Sequence, residues 1–489
     1  MPDFYKILHT FVRDMEQKQE YRSILKATAL FGGIQVFQIL IGVIRTKAVA
    51  LLLGVEGVGL LSLFNNTLSM LQNACGFGVN QGGVKSISGA ETDSLKHRVA
   101  ALIRRMTRFT GLFGTLIILL LAPQLSRWTF GSPNYTGAFL WLSFTMLFDT
   151  MTKGELAIFQ GSRRLRELAK ANLTGATAGL LISLPIYYFW HTDGIVAAII
   201  LSSVCSYIGT QLFRQKKPAK PLPFNPAGKQ IMKVGYMYIV SIFAAAVTSY
   251  LFNIYLRHHG GFQDVGLYQS GFNIIDKYVG LLFAAMVSDY YPRLAAAQQH
   301  NGKMKSILNR QMVVSLLFIC PIICVFLPTS PLIVRILLSE QFLPIIPFLS
   351  WAILGMIFKA TSFCFSYYLI VKEDTRLYLS IEFLSCATIL VTNIVGYRLW
   401  GIEGIGIAFL FSYFCYLLSL SVTCRWKYNM RIRKESLILL GLTVIISTAN
   451  FLIIRYLVPA HPLLGYGLTA ISVVTTGIFS LKRLWHHVR

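Results

Sequence analysis

The chain has 489 residues, of which 55% are hydrophobic and only 13% are charged, and its mean hydropathy is +0.59. A soluble globular chain carries about 25% charged residues, so this composition excludes a set of soluble domains and predicts a polytopic membrane protein. The 45 Lys and Arg residues outnumber the 20 Asp and Glu residues, which gives a net charge of +25. In a soluble protein that excess would indicate a nucleic-acid partner, so the positions of the charges decide between the two interpretations.

Fourteen runs of mostly apolar residues are long enough to cross a hydrocarbon core of about 30 Å as helices. In chain order they lie near 25–50, 60–83, 101–122, 137–160, 169–190, 195–213, 231–256, 267–291, 307–328, 344–371, 377–399, 404–424, 436–458 and 463–481. The predicted fold is therefore an all-α polytopic membrane protein with about 14 transmembrane helices.

The basic residues are divided unequally between the two sides of these spans. The N-terminal segment, the even-to-odd connections and the C-terminal segment hold 35 of them, the opposite side holds five, and five fall inside spans. Because Lys and Arg in short loops stay in the cytoplasm, both termini are predicted to be cytoplasmic. The first 23 residues lack a sustained apolar stretch, so an uncleaved first span is expected. The localisation expected is the bacterial inner membrane, and nucleic acid is excluded as a partner.

The connections leave no room for a soluble catalytic domain. The longest cytoplasmic one is 214–230, a Pro- and Lys-rich linker, and no GxxxxGK[ST], HExxH or GxSxG motif occurs. We therefore expect no enzyme, no catalytic residue and no metal or cofactor. The eight cysteines are interpreted as small buried hydrophobes, and the adjacent His258 and His259 as solvated polar residues.

The two halves of the chain are weakly similar. At a shift of 210 residues Trp141 matches Trp351, and the other matched positions are Arg166/Arg376, Tyr187/Tyr397, Trp190/Trp400 and Gly194/Gly404; Val58-Gly59-Leu60 matches 265–267 at a shift of 207. These matches predict two six-helix bundles related by a pseudo-two-fold axis, with a substrate site at their interface. The predicted organisation is a tail (1–24), a first bundle (25–213), a linker (214–230), a second bundle (231–424) and an additional helix pair with a tail (425–489).

Charged residues inside the spans are the candidate site, because a charge at the bilayer centre costs about 2.5–3.5 kcal/mol. The candidate substrate-binding residues are Arg45, Lys47, Lys153, Lys277 and Lys359, and the candidate ion-coupling residues are Asp149, Asp276 and Glu382. Glu155 is a further acid within a span. Arg and Lys are the usual ligands of phosphate, and a carboxylate at this depth can bind H⁺ or Na⁺.

Structural interpretations of the same residues stay open. Asp149 and Lys153 are spaced i,i+4 and can pair on one helix face. Arg45 and Lys47 lie near the end of their span and can snorkel to the interface, and Glu382 can be a satisfied interfacial acid. Lys359 and Asp276 have no such neighbour on their own helices, which favours a polar cavity.

Three segments resemble the Wzx-type O-antigen and lipid-linked polysaccharide flippases, members of a superfamily that includes multidrug extruders and the peptidoglycan lipid flippase. They are IRTKAVALLLGVEGVGLLSLFNN from Ile44, LRHHGGFQDVGLYQSGFNIIDKYVGLLFAAMVSDYYPRL from Leu256 and WAILGMIFKATSFCFSYYLIVKEDTRLYLSIEF from Trp351. The resemblance covers about residues 23–425 and includes Lys47, Asp276, Lys359 and Glu382. The apolar pair after Arg433 resembles the fourteen-span arrangement of the peptidoglycan lipid flippase.

The resemblance implies a flippase that moves an undecaprenyl-diphosphate-linked oligosaccharide to the periplasmic leaflet by alternating access, coupled to H⁺ or Na⁺. The partners it implies are the lipid-linked substrate, membrane lipids, a polysaccharide polymerase and a chain-length regulator, and a monomer is expected. A multidrug extruder of the same fold and a membrane polysaccharide polymerase or ligase remain alternatives.

Overall fold

The computed structural model describes residues 2–215 and 221–488. Side chains are described for Phe37 and from Leu40 onward, apart from those of residues 225, 226, 230, 233–238, 277–279, 281, 282, 284, 285, 288, 484 and 486–488. The described chain is helical and contains no strand. Its first six helices are α1 (Pro2–Cys75), α2 (Val79–Ser88), α3 (Asp93–Phe130), α4 (Thr136–Gly161), α5 (Leu165–Trp190) and α6 (Ile195–Leu212).

Eight helices follow the linker. They are α7 (Lys229–Asn273), α8 (Gly280–Ala296), α9 (Asn301–Leu337), α10 (Ile346–Val371), α11 (Thr375–Tyr428), α12 (Lys434–Leu452), α13 (Val458–Ala460) and α14 (Pro462–Val488). A π-helical turn over Ile274–Val279 joins α7 to α8, and another over Ile453–Leu457 joins α12 to α13. The predicted all-helical membrane fold is confirmed.

Ten helical stretches from Leu40 onward are long and apolar enough to cross a membrane. Three of them contain a break in helical geometry, at Gly54 in α1, at Gly261 in α7 and at Trp400–Gly401 in α11. Each break falls between two predicted spans, so each of these long helices accounts for two of them. The short turn predicted at 191–194 is present, since α5 ends at Trp190 and α6 begins at Ile195.

Two outer connections are shorter than the sequence predicts. Pro123 lies inside α3, which runs on to Phe130, and α9 contains three prolines and runs on to Leu337. The predictions of connections over 123–136 and 329–343 were therefore wrong, because these prolines are accommodated within long helices, as membrane helices allow.

The breaks in α1 and α7 carry the internal repeat. Gly54 (φ 67°, ψ −169°) and Gly261 (φ 75°, ψ −169°) have the same backbone conformation and lie 207 residues apart. Only glycine adopts this region without steric cost. The matched sequences at 58–60 and 265–267 thus follow equivalent breaks.

The helical segments after these breaks touch each other at two further glycines. A Cβ atom on Gly59 would lie 2.0 Å from the carbonyl oxygen of Phe262, and one on Gly266 would lie 2.0 Å from that of Val55. The contact is reciprocal, as two-fold-related repeats require. Backbone meets backbone here, so any side chain at either glycine forces the two segments apart.

The chain divides into two compact units. The first contains residues 1–52, 71–127 and 132–239, and the second contains 53–70, 128–131 and 240–489. The first has an apolar core that includes Ile87, Leu102 and Ile103.

The last helices are fastened to the rest of the second unit by polar contacts. Ser472 donates to the Asn450 side chain (2.6 Å), and the Asn450 amide contacts the Cys324 sulfur (3.6 Å). Glu403 accepts from the Trp351 indole (2.8 Å) and from Arg455. The additional pair is therefore held by specific buried hydrogen bonds as well as by apolar packing.

Candidate functional site

The second unit contains an ion pair within its membrane-spanning helices, formed by Asp276 and Lys359 and here called the second-unit pair. Asp276 lies in the π-helical turn between α7 and α8, and Lys359 lies in α10 between the buried residues Ile357 and Ala360. The Lys359 ammonium donates to Asp276 Oδ1 at 2.7 Å. Their side chains are 22% and 44% exposed, so both groups can be reached by a polar ligand. π-Helical turns occur frequently at functional sites.

Two tyrosines of α11 accompany the acidic and basic groups of the second unit. Lys359 Nζ lies 5.3 Å from the centre of the Tyr413 ring, an aromatic contact that stabilises the cation. One turn further on, the Tyr416 hydroxyl donates to the Glu382 carboxylate. Glu382 therefore has a hydrogen-bond partner within the helical layer.

The first unit contains a second polar group of residues, here called the first-unit cluster: Gln72, Asp149 and Lys153. The Gln72 amide nitrogen donates to Asp149 Oδ2 at 2.7 Å, and the Lys153 ammonium donates to Gln72 Oε1 at 2.6 Å. The acid and base predicted to pair along α4 are therefore bridged by an amide from α1. The cluster places a carboxylate, a neutral amide and an ammonium group in one row.

The two sites occupy corresponding places in the repeats. Asp149 on α4 and Lys359 on α10 are the residues matched at a shift of 210. Each bonds to a polar side chain beyond one of the glycine breaks, Gln72 after Gly54 and Asp276 after Gly261. The repeats thus keep the positions of the polar contacts while the charge on the α4 or α10 residue changes sign.

The remaining sequence candidates have varied surroundings. Arg45 donates to the Ser202 hydroxyl on α6 at 3.0 Å, so its guanidinium bonds within the first unit and the snorkelling interpretation was wrong for this residue. Lys47 is half-buried. Lys277 lies in the π-helical turn next to Asp276, and its side chain lies outside the described set.

Glu155 has a structural explanation. It is 3% exposed, and its two carboxylate oxygens accept from Arg104 Nε (2.6 Å) and Nη2 (3.1 Å), with Arg214 at 3.7 Å. Such bidentate pairing satisfies a buried carboxylate. Glu155 is therefore bound tightly by two arginines and is unsuited to bind a ligand.

Three site residues were missed by sequence reasoning: Gln72, Tyr413 and Tyr416. All three are uncharged, so a search for charged residues within apolar runs passes over them. A search that also included amide and phenol side chains within the spans would have found them.

The second-unit pair can exchange partners. A proton on Asp276 removes the negative charge that holds Lys359, and an anion that binds Lys359 competes with the same carboxylate. The first-unit cluster offers a related arrangement, in which Gln72 can reorient between its acidic and basic neighbours. The chemistry available is reversible binding of an anion and of a cation such as H⁺.

Comparisons with known proteins agree with the sequence resemblance. A sequence profile of the family described as "Polysaccharide biosynthesis protein" matches residues 48–347, more than half of the chain. The Lipid III flippase of Escherichia coli (strain K12) is 22% identical over 372 residues, which cover 74% of this chain and 88% of that protein.

Two solved structures share the fold. The Lipid II flippase MurJ, in an inward closed conformation, has a TM-score of 0.71 at 11% identity and covers 94% of this chain and 99% of its own. An inward-facing multidrug resistance transporter of the MATE family and the MOP superfamily has a TM-score of 0.69 at 14% identity, covering 80% and 94%. The resemblance predicted from the sequence is confirmed, and the chain belongs to the polysaccharide biosynthesis protein family.

Proposed function

We propose that this protein flips a lipid-linked oligosaccharide from the cytoplasmic to the periplasmic leaflet of the bacterial inner membrane. The observation that carries the proposal is the part-exposed Asp276–Lys359 pair within the spanning helices of a polysaccharide biosynthesis family member. Support also comes from the flippase relative in Escherichia coli and from the shared fold with a lipid flippase.

The carried lipid is proposed to be an undecaprenyl-diphosphate-linked repeat unit of O-antigen or a related surface polysaccharide. Lys359 binds a diphosphate oxygen when it is released from Asp276, and Lys153, at the exposed end of the first-unit cluster, is a second cationic contact. Lys47 and Arg45 supply further positive charge. The oligosaccharide occupies the polar interior and the prenyl chain stays in lipid, so no apolar chain has to pass the charged residues.

Ion coupling follows from the same pair. Protonation of Asp276 frees Lys359 for the diphosphate, and deprotonation restores the pair and releases the product. Asp149 and Glu382 are the further candidates for ion binding, and the coupling ion is H⁺ or Na⁺. With both termini in the cytoplasm, the protein acts as a monomeric antiporter next to a polysaccharide polymerase and a chain-length regulator.

A deletion strain provides the test. Loss of the gene is expected to abolish surface polysaccharide and to leave single lipid-linked repeat units on the cytoplasmic leaflet. Lys359→Gln and Asp276→Asn should fail to restore export, whereas Lys303→Gln, which changes an exposed lysine at the start of α9, should restore it. Full restoration by both site variants would contradict the proposal.

The same strain separates the alternatives. A multidrug extruder, favoured by the shared fold with MATE transporters, predicts drug sensitivity with intact surface polysaccharide. A polymerase or ligase predicts that single repeat units accumulate on the periplasmic leaflet.

A further inference from the structure

The first unit contains an open pocket of about 390 Å³ that the proposed flipping mechanism does not use. Its walls come from the end of α1, the start of α2, the first half of α3 and the linker before α7. The lining residues include Phe77, Val79, Arg105, Met106, Phe109 and Phe224. Apart from Arg105 and a threonine hydroxyl the lining is apolar, and an apolar cavity of this size does not hold ordered water.

The pocket opens where α3 enters the apolar layer. The 18 residues from Phe109 to Ser126 carry no charge, whereas Arg105 and Arg108 lie immediately before them. Phe109 is 70% exposed, and Phe113, one turn further on, stacks beside it with ring centres 6.5 Å apart. Phe77 contacts Phe113 from α1, with ring centres 6.2 Å apart. The pocket therefore continues as an aromatic groove along the exposed face of α3.

The charge around the pocket is positive. Arg105 is exposed at the rim, while the neighbouring Arg104 is neutralised by Glu155. No acidic residue occurs over 94–148 or over 194–263, the sequence segments that supply α3 and the linker. The linker itself carries five basic residues over 214–229. A basic pocket between spanning helices beside a cationic cytoplasmic segment is the arrangement that binds anionic lipid headgroups.

We propose that this pocket binds one anionic phospholipid of the cytoplasmic leaflet. Its phosphate bonds to Arg105, and one acyl chain lies in the pocket between Phe77 and Phe109 and continues along α3. The fixed position of the cation above an apolar pocket favours a lipid over a free anion, because a free phosphate would leave the pocket empty. The negative charge selects phosphatidylglycerol over the zwitterionic phosphatidylcholine.

Native mass spectrometry of the purified full-length protein tests this proposal. The protein is mixed in detergent with equal amounts of phosphatidylglycerol and phosphatidylcholine, and the bound lipid is counted. We expect one retained phosphatidylglycerol on the wild-type chain. Arg105→Gln should reduce its retention roughly tenfold, the loss expected for one charge-assisted hydrogen bond. Arg166→Ala, which removes an exposed arginine elsewhere in the unit, should leave retention unchanged.

A second variant tests the acyl-chain contact. Phe224→Ala removes a half-exposed wall of the pocket and should also weaken retention while Arg105 is intact. Wild-type melting temperature and monodisperse elution of each variant establish that it is folded. Equal retention of the two phospholipids, equal retention by Arg105→Gln, or an equal loss with Arg166→Ala would overturn the proposal. Displacement of phosphatidylglycerol by equimolar undecaprenyl phosphate would also overturn it, because the pocket would then belong to the carried lipid.

Discussion

Replacing Lys359 by Met keeps the length of the side chain and leaves Asp276 without its ion-pair partner. At 2.7 Å and an effective dielectric constant of about 20, the gross attraction between the two charges is about 6 kcal/mol. Desolvation and side-chain ordering offset most of it, and water can replace the lysine at the half-exposed carboxylate. We therefore expect Lys359→Met to destabilise the protein by about 2 kcal/mol.

A double-mutant cycle isolates the contribution of the pair. The melting temperatures of detergent-solubilised wild type, Lys359→Met, Asp276→Asn and the double variant are compared. Because the double variant leaves no unpaired charge, it should be less destabilised than the sum of the single variants by at least about 1 kcal/mol. Additive effects would refute the ion pair as a stabilising contact.

Function should not follow stability in this cycle. The double variant regains stability but has neither the cation for the diphosphate nor the carboxylate for the coupling ion. We expect it to export no surface polysaccharide in the deletion strain, at wild-type protein level in the membrane. Export by the double variant would mean that the pair has only a structural role.

Three further predictions concern other parts of the chain. Gly59→Ala places a Cβ atom 2.0 Å from a backbone carbonyl oxygen and should destabilise the protein by about 1–3 kcal/mol; Gly42→Ala, with nothing within 4 Å, should leave the melting temperature unchanged. Gln72→Leu removes both hydrogen bonds of the first-unit cluster and should reduce export without loss of protein. Hydrogen bonds from Lys427 and Tyr428 lower the pKa of Asp374. Its stabilising effect is therefore present above its unfolded pKa of about 3.9 and lost as pH falls through the lowered value, so acidification should lower the melting temperature less in Asp374→Asn than in wild type.

The membrane-spanning fold could be predicted from the sequence because it follows from local composition. An apolar run of about 20 residues has to be helical in lipid to satisfy its backbone, whatever the rest of the chain does. The ends of the helices were less predictable, since Pro123 lies within a helix that continues to Phe130. The glycine breaks at Gly54 and Gly261 became identifiable only once their backbone angles were known, although the sequences after them already matched.

The site could be predicted residue by residue but not contact by contact. The charges of Asp276 and Lys359 stand out in apolar runs, yet the two residues are 83 positions apart and nothing local brings them together. Gln72 carries no charge, and its role as the bridge between Asp149 and Lys153 depends on how α1 packs on α4. Pairing across helices is set by tertiary packing, which a single sequence does not reveal.

Transbilayer movement of the lipid itself is the most direct test of the proposed function. Purified protein is reconstituted into vesicles with a fluorescent undecaprenyl-diphosphate-linked oligosaccharide, and a membrane-impermeant quencher is added outside. Wild-type vesicles should lose the signal of both leaflets, while vesicles with the double variant of Lys359 and Asp276 should lose only that of the outer leaflet. Wild-type vesicles that behave like protein-free vesicles, under an imposed H⁺ or Na⁺ gradient of either direction, would contradict flipping by this protein.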